Sequence, residues 1–267
     1  MPTIIGLAAV ARSGKDTVAS MLMEHPEVAT YALADPLKAG CQAIFGLSDA
    51  EAWSDEAKEK TIDLWGLSPR QLFQRAGTEW LRDHNADHWL LRADRQLNHK
   101  PVEPRPVSAT ELASPSASIW LGVQAFWGLT EAQTWQDDLR AAEDPFWNIT
   151  PKEMFAIVDR YLSRDFPSYV STRSKRAIST PTRPLTNAAG KSIFIIKDIR
   201  YENEAAFWRS HNGVIWHITR NNAIKVQSHS SEDGIEFRNG DISIENNDTI
   251  EELRKKVESA WSCVRVD

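Results

Sequence analysis

The stretch Thr3-Ile-Ile-Gly-Leu-Ala-Ala-Val-Ala-Arg-Ser-Gly-Lys-Asp-Thr17 decides the fold of this chain. Residues 3–8 form a continuous apolar run bounded by polar residues, which is typical of a buried parallel strand. The stretch then passes through Gly14-Lys15 into residues 15–24, where apolar side chains recur at helical spacing. A strand, a glycine-lysine turn and a helix in this order predict a phosphate-binding loop of the form G-x-x-x-x-G-K-[ST].

Two positions of this loop depart from that form. Ala9 stands at the first glycine, and Asp16 stands at the Ser/Thr position, with Thr17 next. Backbone N–H groups at the helix start still point at an anion, and Lys15 adds a positive charge at the β- and γ-phosphates. A carboxylate repels phosphates unless a cation intervenes, so we expect Asp16 to face Mg²⁺, directly or through water. The alternative is that Asp16 only complements the helix dipole.

The two ends of the chain share one pattern, in which short apolar runs alternate with amphipathic segments. This alternation predicts a P-loop three-layer α/β/α fold with a mainly parallel sheet of about five strands. After the first strand, further strands are predicted at 29–34, 192–197, 213–219 and 241–245, and helices at 36–45, 68–82, 87–97, 203–210 and 249–261.

The middle of the chain differs in character. Four prolines within 100–118 predict a linker, and the dense aromatic residues of 119–148 predict a largely helical insertion with a small core of its own. Residues 171–183 are polar and basic, with Arg173 and Arg183 among them, and predict a lid-like loop. We therefore predict a P-loop core with acceptor-binding helices from residues 1–99 and 192–267, and an insertion from residues 100–191.

Two short segments match position for position: Trp65-Gly-Leu-Ser-Pro-Arg-Gln71 and Trp147-Asn-Ile-Thr-Pro-Lys-Glu153. In each, a hydroxyl residue precedes a proline, and Gln or Glu follows three positions after the hydroxyl residue, which predicts a capped helix start. A degenerate duplication and convergent capping chemistry both explain the match, and the sequence leaves both open.

The composition limits the classes of function. The net charge of -6 argues against a protein that coats nucleic acid. No apolar run approaches the roughly 20 residues that span a bilayer. Cys41 and Cys263 lie far apart without metal-binding spacing, which fits a reducing compartment. We therefore expect a cytoplasmic protein without stable nucleic-acid or membrane binding.

Several short motifs occur in an order that resembles the phage deoxynucleoside monophosphate kinases, within the wider nucleoside monophosphate kinase fold. The resemblance covers most of the chain except about residues 100–148 and 165–191. The motifs are Arg12-Ser-Gly-Lys-Asp-Thr17, Leu33-Ala-Asp-Pro-Leu-Lys38, Ser68-Pro-Arg70 through Gln74-Arg-Ala-Gly-Thr-Glu79 and Arg82, Asp198-Ile-Arg200 with Asn203-Glu204, and His229 with Ser231-Glu232 and Ile244-Glu-Asn246.

This resemblance implies transfer of the γ-phosphoryl group of ATP to a deoxynucleoside monophosphate (dNMP), for phage DNA precursor synthesis in the host cytoplasm. It also implies Mg²⁺, a homodimer, and dGMP, dTMP or a modified pyrimidine monophosphate as acceptor. The expected catalytic residues are Arg12, Lys15 and Asp16; the ATP-binding residues are Ser13, Gly14, Lys15, Asp16, Thr17 and Arg220; the dNMP-binding residues are Asp35, Lys38, Arg70, Gln74, Arg75, Thr78, Asp198, Arg200 and Glu204; and the metal-binding residues are Asp16 and Asp198.

The acceptor residues also have a physical rationale. Asp35 and Lys38 follow the end of a predicted strand, where open α/β sheets bind ligands. Arginine holds a phosphate through two parallel hydrogen bonds. On an α-helix Arg75 and Arg82 share one face because they are seven residues apart, whereas Arg70 lies well round from them. We favour Arg70 as the phosphate ligand because the family motif includes it.

Two other functions stay open at this point. A monophosphate with a second pKa near ~6 is largely dianionic at neutral pH and needs no general base. A hydroxyl acceptor, such as dephospho-coenzyme A or a modified base in DNA, does need one, and Asp35 is placed to serve. The third reading is a non-catalytic nucleotide-binding module that uses the Trp-rich residues 119–148 as its partner surface.

Overall fold

The computed structural model describes residues 2–10, 12–98, 107–182, 186, 189–221 and 235–264. The predicted roles of Arg183, His229, Ser231 and Glu232 lie outside the described residues, as do residues 100–106 of the predicted linker and the side chain of Asp198. The chain divides into two compact units. Unit 1 comprises Met1–Leu33, Leu97–His99 and Thr186–Asp267, and unit 2 comprises Ala34–Gln96 and Lys100–Leu185.

Five strands, thirteen α-helices, one 3₁₀-helix (Ala57–Glu59) and one π-helix (Arg75–Arg82) make up the regular structure of the described residues. The strands are β1 (Thr3–Ala9), β2 (Val28–Tyr31), β3 (Ile193–Ile199), β4 (Gly213–Thr219) and β5 (Ile242–Glu245). The helices are α1 (Lys15–Leu22), α2 (Ala34–Phe45), α3 (Asp49–Trp53), α4 (Pro69–Gln74), α5 (His88–Asn98), α6 (Ala109–Leu112), α7 (Ala117–Trp127), α8 (Glu131–Trp135), α9 (Asp137–Ala141), α10 (Pro151–Asp165), α11 (Tyr169–Arg173), α12 (Glu202–Ser210) and α13 (Ile250–Trp261).

Unit 1 is the predicted three-layer fold. Its sheet has the order β2-β3-β1-β4-β5, and every neighbouring pair is parallel. Ile5 and Leu7 of β1 are fully buried in one cluster with residues of α1 and α13, whereas α12 packs against β4 and β1. Since side chains alternate between the faces of a strand, α12 covers the face opposite α1 and α13. The predicted parallel α/β/α architecture is therefore confirmed.

Unit 2 is helical and has one shared core. Phe45 and Trp65, from the region before the predicted linker, lie in the same buried cluster as Val123 and Phe126 of α7. The aromatic residues of 119–148 therefore do not form the separate small core that we predicted, because α7 is buried on nearly all sides between other helices. The proposed division into residues 1–99 with 192–267 and residues 100–191 stays a prediction.

The helix that begins after Ser68 changes its winding. It starts as predicted, with a Ser68/Gln71 capping box and Pro69 at the first position. From Arg75 to Arg82 it continues as a π-helix. A π-helix bonds residue i to i+5 and holds more residues per turn, so positions seven apart no longer share a face. The prediction that Arg75 and Arg82 share one face is therefore wrong.

Two arginines of the predicted lid-like loop have structural roles instead. Arg173 is buried, and its Nη2 donates to the carbonyl oxygen of Ala43 at 3.0 Å, near the end of α2. Arg176 Nη2 donates to both carboxylate oxygens of Glu51, at 2.8 and 3.0 Å. Both arginines therefore hold neighbouring segments of unit 2 together, and the lid prediction is wrong for them. Among the described residues, every helix is too short or too polar to traverse a bilayer.

Burial of His88 predicts acid sensitivity of unit 2. This side chain is 1% exposed, and its Nε2 lies 3.1 Å from the carbonyl oxygen of Phe126. Burial lowers the pKa of His88 from 6.5 to about 3. The neutral imidazole is thus favoured on folding, so its contribution is fully present above pH 6.5 and is lost as the pH falls towards 3. We expect the free energy of unfolding to fall by up to ~1.4 kcal/mol per pH unit across that range.

The measurement is chemical denaturation of the wild type and of His88→Gln, which offers an amide that does not titrate, from pH 7 to pH 4. We expect the variant to show a smaller loss of stability over this range. Equal slopes for the two proteins would contradict a buried neutral imidazole at position 88.

Candidate active site

The loop between β1 and α1 has a backbone that requires glycine at one position. Gly14 has φ of 97°, and a Cβ added there would lie 2.2 Å from Asn246 Nδ2. Arg12 also has a positive φ, 65°, which is uncommon for a residue with a side chain. Strained backbone of this kind clusters at ligand-binding sites. The loop is therefore held in a specific shape at the end of the central strand.

The start of α1 offers hydrogen-bond donors to an anion. No side chain among the described residues caps this helix, whose first residue is Lys15. The first turn of a helix leaves N–H groups without partners inside the helix, and its dipole is positive at this end. Ser13 is fully buried, and its Oγ has no partner in the part of the chain that the structure describes. A phosphate group would satisfy both the amides and this hydroxyl.

Asn246 directly follows the edge strand β5 and fixes the loop between β1 and α1. Its Nδ2 donates to the carbonyl oxygen of Ser13 at 2.9 Å, and its backbone N–H donates to Thr219 at 2.8 Å. Asn246 belongs to the motif Ile244-Glu-Asn246, for which the sequence predicted no role. Its position directly after β5 was the available signal, because parallel strands bring their carboxyl ends to one edge.

Substitution of Gly14 tests this loop geometry. We expect Gly14→Ala to weaken ATP binding at least tenfold, because the added Cβ displaces Asn246 and the backbone conformation disfavours alanine. Gly240, which has the same φ of 97° and open space around it, is the matched control. Gly240→Ala should bear only the backbone strain and leave ATP binding unchanged. Calorimetric titration with ATP measures both variants, and equal affinity for wild type and Gly14→Ala would contradict the geometry.

The candidate metal residues lie apart in the sequence. Asp16 is exposed in the first turn of α1. Asp198 lies within β3, one residue before the strand ends, and not just past the strand as predicted. The described residues contain no group of three or more acidic, His or Cys side chains that would enclose a metal. An exposed carboxylate beside a phosphate loop fits Mg²⁺, which keeps several waters and takes phosphate oxygens as ligands.

A cavity of about 290 Å³ lies at the carboxyl ends of β1, β3 and β4. Its lining includes Arg200, predicted for the acceptor, and Arg220, predicted for ATP, and both residues are exposed. Ligands bind at this edge of open α/β sheets. Unit 1 therefore brings two of the predicted arginines to one concave surface near the phosphate loop.

Glu204, another predicted acceptor residue, has a structural role. It is buried, and its Oε2 accepts hydrogen bonds from the backbone N–H groups of Arg200 at 2.9 Å and Tyr201 at 3.3 Å. A carboxylate at this position caps the start of α12. These bonds fix the backbone that presents Arg200 to the cavity.

An ion network holds one residue of the cavity lining in place. His217 lines the cavity, and its Nε2 lies 2.9 Å from Asp241 Oδ2. Arg209 contacts both oxygens of the same carboxylate, at 3.1 and 2.7 Å. Burial alone would raise the pKa of Asp241, but hydrogen bonds from Arg209, the Arg238 backbone and His217 lower it. The carboxylate therefore stays ionised and holds residues 238–241 against α12.

The predicted acceptor residues of unit 2 lie on α2, α4 and the π-helix. Lys38 Nζ lies 5.2 Å from the centre of the Trp53 ring. Arg70 forms an ion pair with Glu59 through exposed side chains. The Nε of Arg75 lies 3.7 Å from the Oε2 of Glu79. Exposed ion pairs such as Arg70–Glu59 contribute only about 0–1 kcal/mol, so a phosphate group competes readily for Arg70. Gln74 and Thr78 are exposed, and Asp35 lies in the first turn of α2.

A parallel sheet whose central strand leads into an uncapped helix through Gly-Lys defines the P-loop class of proteins. The family model described as deoxynucleotide monophosphate kinase matches residues 3–66 and 182–257. This match covers more than half of the chain, and the chain belongs to the deoxynucleotide monophosphate kinase family.

A provisionally named deoxynucleotide monophosphate kinase of Acanthamoeba polyphaga mimivirus is 41% identical over 83 residues. The aligned region is 30% of this chain and 43% of that protein, so the chain spans less than half the length of this relative. The family match includes the phosphate loop, Asp35, Lys38, Arg200 and Arg220. It leaves out residues 67–181, which contain the predicted acceptor helix.

Proposed function

We propose that this protein transfers the γ-phosphoryl group of ATP to a dNMP and releases a deoxynucleoside diphosphate. The observation that carries the proposal is the glycine-requiring loop at the uncapped start of α1, in a member of this kinase family. The loop supplies amide donors and a lysine where a triphosphate needs them. The family supplies the class of acceptor.

Donor binding is assigned to the loop residues Ser13, Gly14, Lys15, Asp16 and Thr17, with Arg220 at the cavity. Lys15 and Arg12 place positive charge near the transferred group, where charge is spread over oxygens in the transition state. Mg²⁺, when bound, neutralises phosphate charge and is assigned to Asp16 and Asp198. Positioning and charge neutralisation account for most of the catalysis in phosphoryl transfer.

Acceptor binding is assigned to polar and charged side chains that approach a nucleoside monophosphate. Arginine and lysine hold its phosphate, while Gln and Thr hydrogen-bond other polar groups. The phosphate is already dianionic at neutral pH, so no residue needs to remove a proton. The assigned residues are Asp35, Lys38, Arg70, Gln74, Arg75, Thr78, Asp198 and Arg200, and Glu204 contributes by fixing the backbone of Arg200. We also propose that the protein forms a homodimer and acts in the host cytoplasm. Sedimentation equilibrium tests the dimer.

Label transfer from [γ-³²P]ATP tests the reaction class. We expect labelled deoxynucleoside diphosphate with dNMP acceptors, and no label in dephospho-coenzyme A or in polymeric DNA. Label in either hydroxyl acceptor but in no dNMP would contradict the proposal and would favour Asp35 as a general base. ATP binding without transfer to any acceptor would instead favour a non-catalytic nucleotide-binding module.

A further inference from the structure

The two matching segments around Trp65 and Trp147 belong to a much longer repeat. Residues 40–83 and 122–165 align without a gap at a constant separation of 82 positions, and 13 of the 44 aligned pairs are identical. Residues 88–95 and 169–176 then align at a separation of 81, with an arginine pair at 92 and 173 and another at 95 and 176. We call residues 35–95 the first copy and residues 117–176 the second copy.

The two copies form the same local structures at equivalent positions. Helices α2 and α7 both end at a glycine with positive φ, 62° at Gly46 and 67° at Gly128. Each copy continues with a capping box, an isolated antiparallel bridge, and a second capping box before a proline. Two hydrogen bonds of the first copy recur in the second. The indole bond from Trp65 Nε1 to Phe45 O (3.0 Å) is equivalent to that from Trp147 Nε1 to Trp127 O (2.9 Å). The amide bond from Gln42 Nε2 to Asp49 Oδ1 (2.6 Å) is equivalent to that from Gln124 Nε2 to Glu131 Oε1 (2.8 Å).

The bonds of the two tryptophans decide between the explanations that the sequence left open. Convergent capping accounts for a hydroxyl residue, a proline and an acidic or amide residue at helix starts. It gives no reason for an indole 20 residues along to donate to the same carbonyl position in both copies. Duplication of one ancestral module accounts for both the capping boxes and these bonds.

The last helix of each copy, which we call its closing helix, forms hydrogen bonds with the other copy. Helix α5 of the first copy bonds carbonyl oxygens at the end of α7, and α11 of the second copy bonds the equivalent oxygens at the end of α2. The same pair of positions is thus in contact twice, once in each direction between the copies. Reciprocal contacts of this kind define an isologous, two-fold arrangement. The reciprocal pairs are His88 with Phe126 O (3.1 Å) and Tyr169 with Ile44 O (2.8 Å), Arg92 with Ala125 O (2.9 Å) and Arg173 with Ala43 O (3.0 Å).

Packing at the crossing of α2 and α7 obeys the same relation. A Cβ on Gly40 would lie 2.2 Å from the Phe126 ring, and a Cβ on Gly122 would lie 2.4 Å from the Ile44 side chain. Positions 40 and 122 are equivalent, and so are positions 44 and 126. The pseudo-two-fold axis therefore passes between the two glycines, where the helix backbones approach closely.

The copies differ where acceptor chemistry is predicted. Residues that make the contacts above are largely kept, including Gln42 and Gln124. The charged and polar acceptor residues are mostly replaced by residues of another chemical type. In the second copy Ala117, Trp120, Ala156, Ile157 and Arg160 stand at the positions equivalent to Asp35, Lys38, Gln74, Arg75 and Thr78, and Lys152 stands at that of Arg70.

The backbone differs at the same place. Twenty positions separate Ser68 from His88, whereas nineteen separate the equivalent Thr150 from Tyr169. The first copy winds as a π-helix over Arg75–Arg82, and the second copy is α-helical throughout Pro151–Asp165. A π-helix holds more residues per turn, so it accommodates one extra residue without lengthening the segment, and such turns are frequent at functional sites.

We propose that unit 2 is an internal duplication with exchanged closing helices, in which the first copy alone binds the acceptor nucleotide. The second copy acts as its structural partner, in the way a second subunit would. The second copy keeps the positive charge of Arg70, as Lys152, but has Ala156 and Ile157 in place of Gln74 and Arg75. We therefore expect Arg70 to contribute less to binding of the acceptor nucleotide than Gln74 and Arg75. The binding part of this inference rests on the proposed function.

Matched double variants test the assignment of binding to the first copy. Gln74→Ala with Arg75→Ile gives the first copy the residues of the second, and Lys152→Ala with Arg160→Ala removes charge from the second. We expect the first pair to raise the KM for dNMP at least tenfold at unchanged ATP affinity, and the second pair to change it less than twofold. A tenfold effect of the second pair, or no effect of the first, would overturn the assignment. A wild type that phosphorylates no dNMP refutes the proposed function instead.

Thermal unfolding of the full chain tests the duplication independently of activity. Phe126→Ile leaves a gap over Gly40, and Ile44→Phe overfills the space over Gly122, so each single variant should melt several degrees below the wild type. Under the two-fold relation the double variant exchanges the two side chains and restores one large and one small residue. We expect the double variant to melt above both single variants. A double variant that melts below both would overturn the two-fold arrangement.

Discussion

Replacing Lys15 with alanine is expected to reduce kcat for phosphoryl transfer about 10³-fold or more, with the fold unchanged. The expectation follows from the place of this residue at the first position of α1, directly after Gly14, whose φ of 97° favours glycine. A cation in contact with the transferring group stabilises charge that develops only in the transition state, and loss of such a group costs about 10²–10⁵ in rate. Steady-state turnover with ATP and dNMP measures the effect, and thermal unfolding checks the fold.

Lys255→Ala is a suitable control because this lysine lies on α13 of the same unit, with 72% of its side chain exposed. Its ion pair with Glu252 is of the surface type that contributes about 0–1 kcal/mol. We expect wild-type turnover from this control. If Lys15→Ala kept more than a tenth of the wild-type turnover, the loop would not be the donor site.

Replacing Arg95 with methionine is expected to lower the free energy of unfolding by about 3–5 kcal/mol. Arg95 holds both oxygens of Asp144, at 2.7 and 2.8 Å, and that carboxylate is 1% exposed. Burial alone would raise the pKa of Asp144, but hydrogen bonds from Arg95 and Gln133 lower it. Without Arg95 a buried carboxylate loses its counter-charge, which costs a large share of the roughly 5–15 kcal/mol that stabilises a typical domain.

Two further variants separate charge from packing. Arg70→Met removes an arginine from an exposed pair with Glu59 and should cost at most about 1 kcal/mol. Adding Asp144→Asn to Arg95→Met removes the unpaired charge and should recover part of the loss. Denaturant titration measures all four proteins. Equal costs for Arg95→Met and Arg70→Met would contradict the buried pair.

The sequence predicted unit 1 well because its signals are local. An apolar run such as residues 3–8 specifies a buried strand, and Gly14-Lys15 specifies the turn that follows. Asn246 was missed as a loop partner since its contact with Ser13 spans 233 positions. Long-range contacts of this kind arise from strand order, which short motifs do not encode.

Unit 2 was predicted less completely. The capping boxes at Ser68 and Thr150 were correct because a few adjacent residues determine them. The π-helix at Arg75 was not predictable from α-helical spacing, and it changes which side chains share a face. The role of Arg173 was also mistaken, since a basic residue in a polar segment gives no sign of burial. Its partner Ala43 lies 130 positions away.

The most direct test of the central claim is a panel of acceptors, with all four dNMPs, modified pyrimidine dNMPs and all four NMPs supplied separately with [γ-³²P]ATP and Mg²⁺. We predict that at least one dNMP becomes a labelled diphosphate, with a higher kcat/KM than its ribonucleotide counterpart. A panel in which no dNMP is labelled, or in which ribonucleotides are the better acceptors throughout, would contradict it.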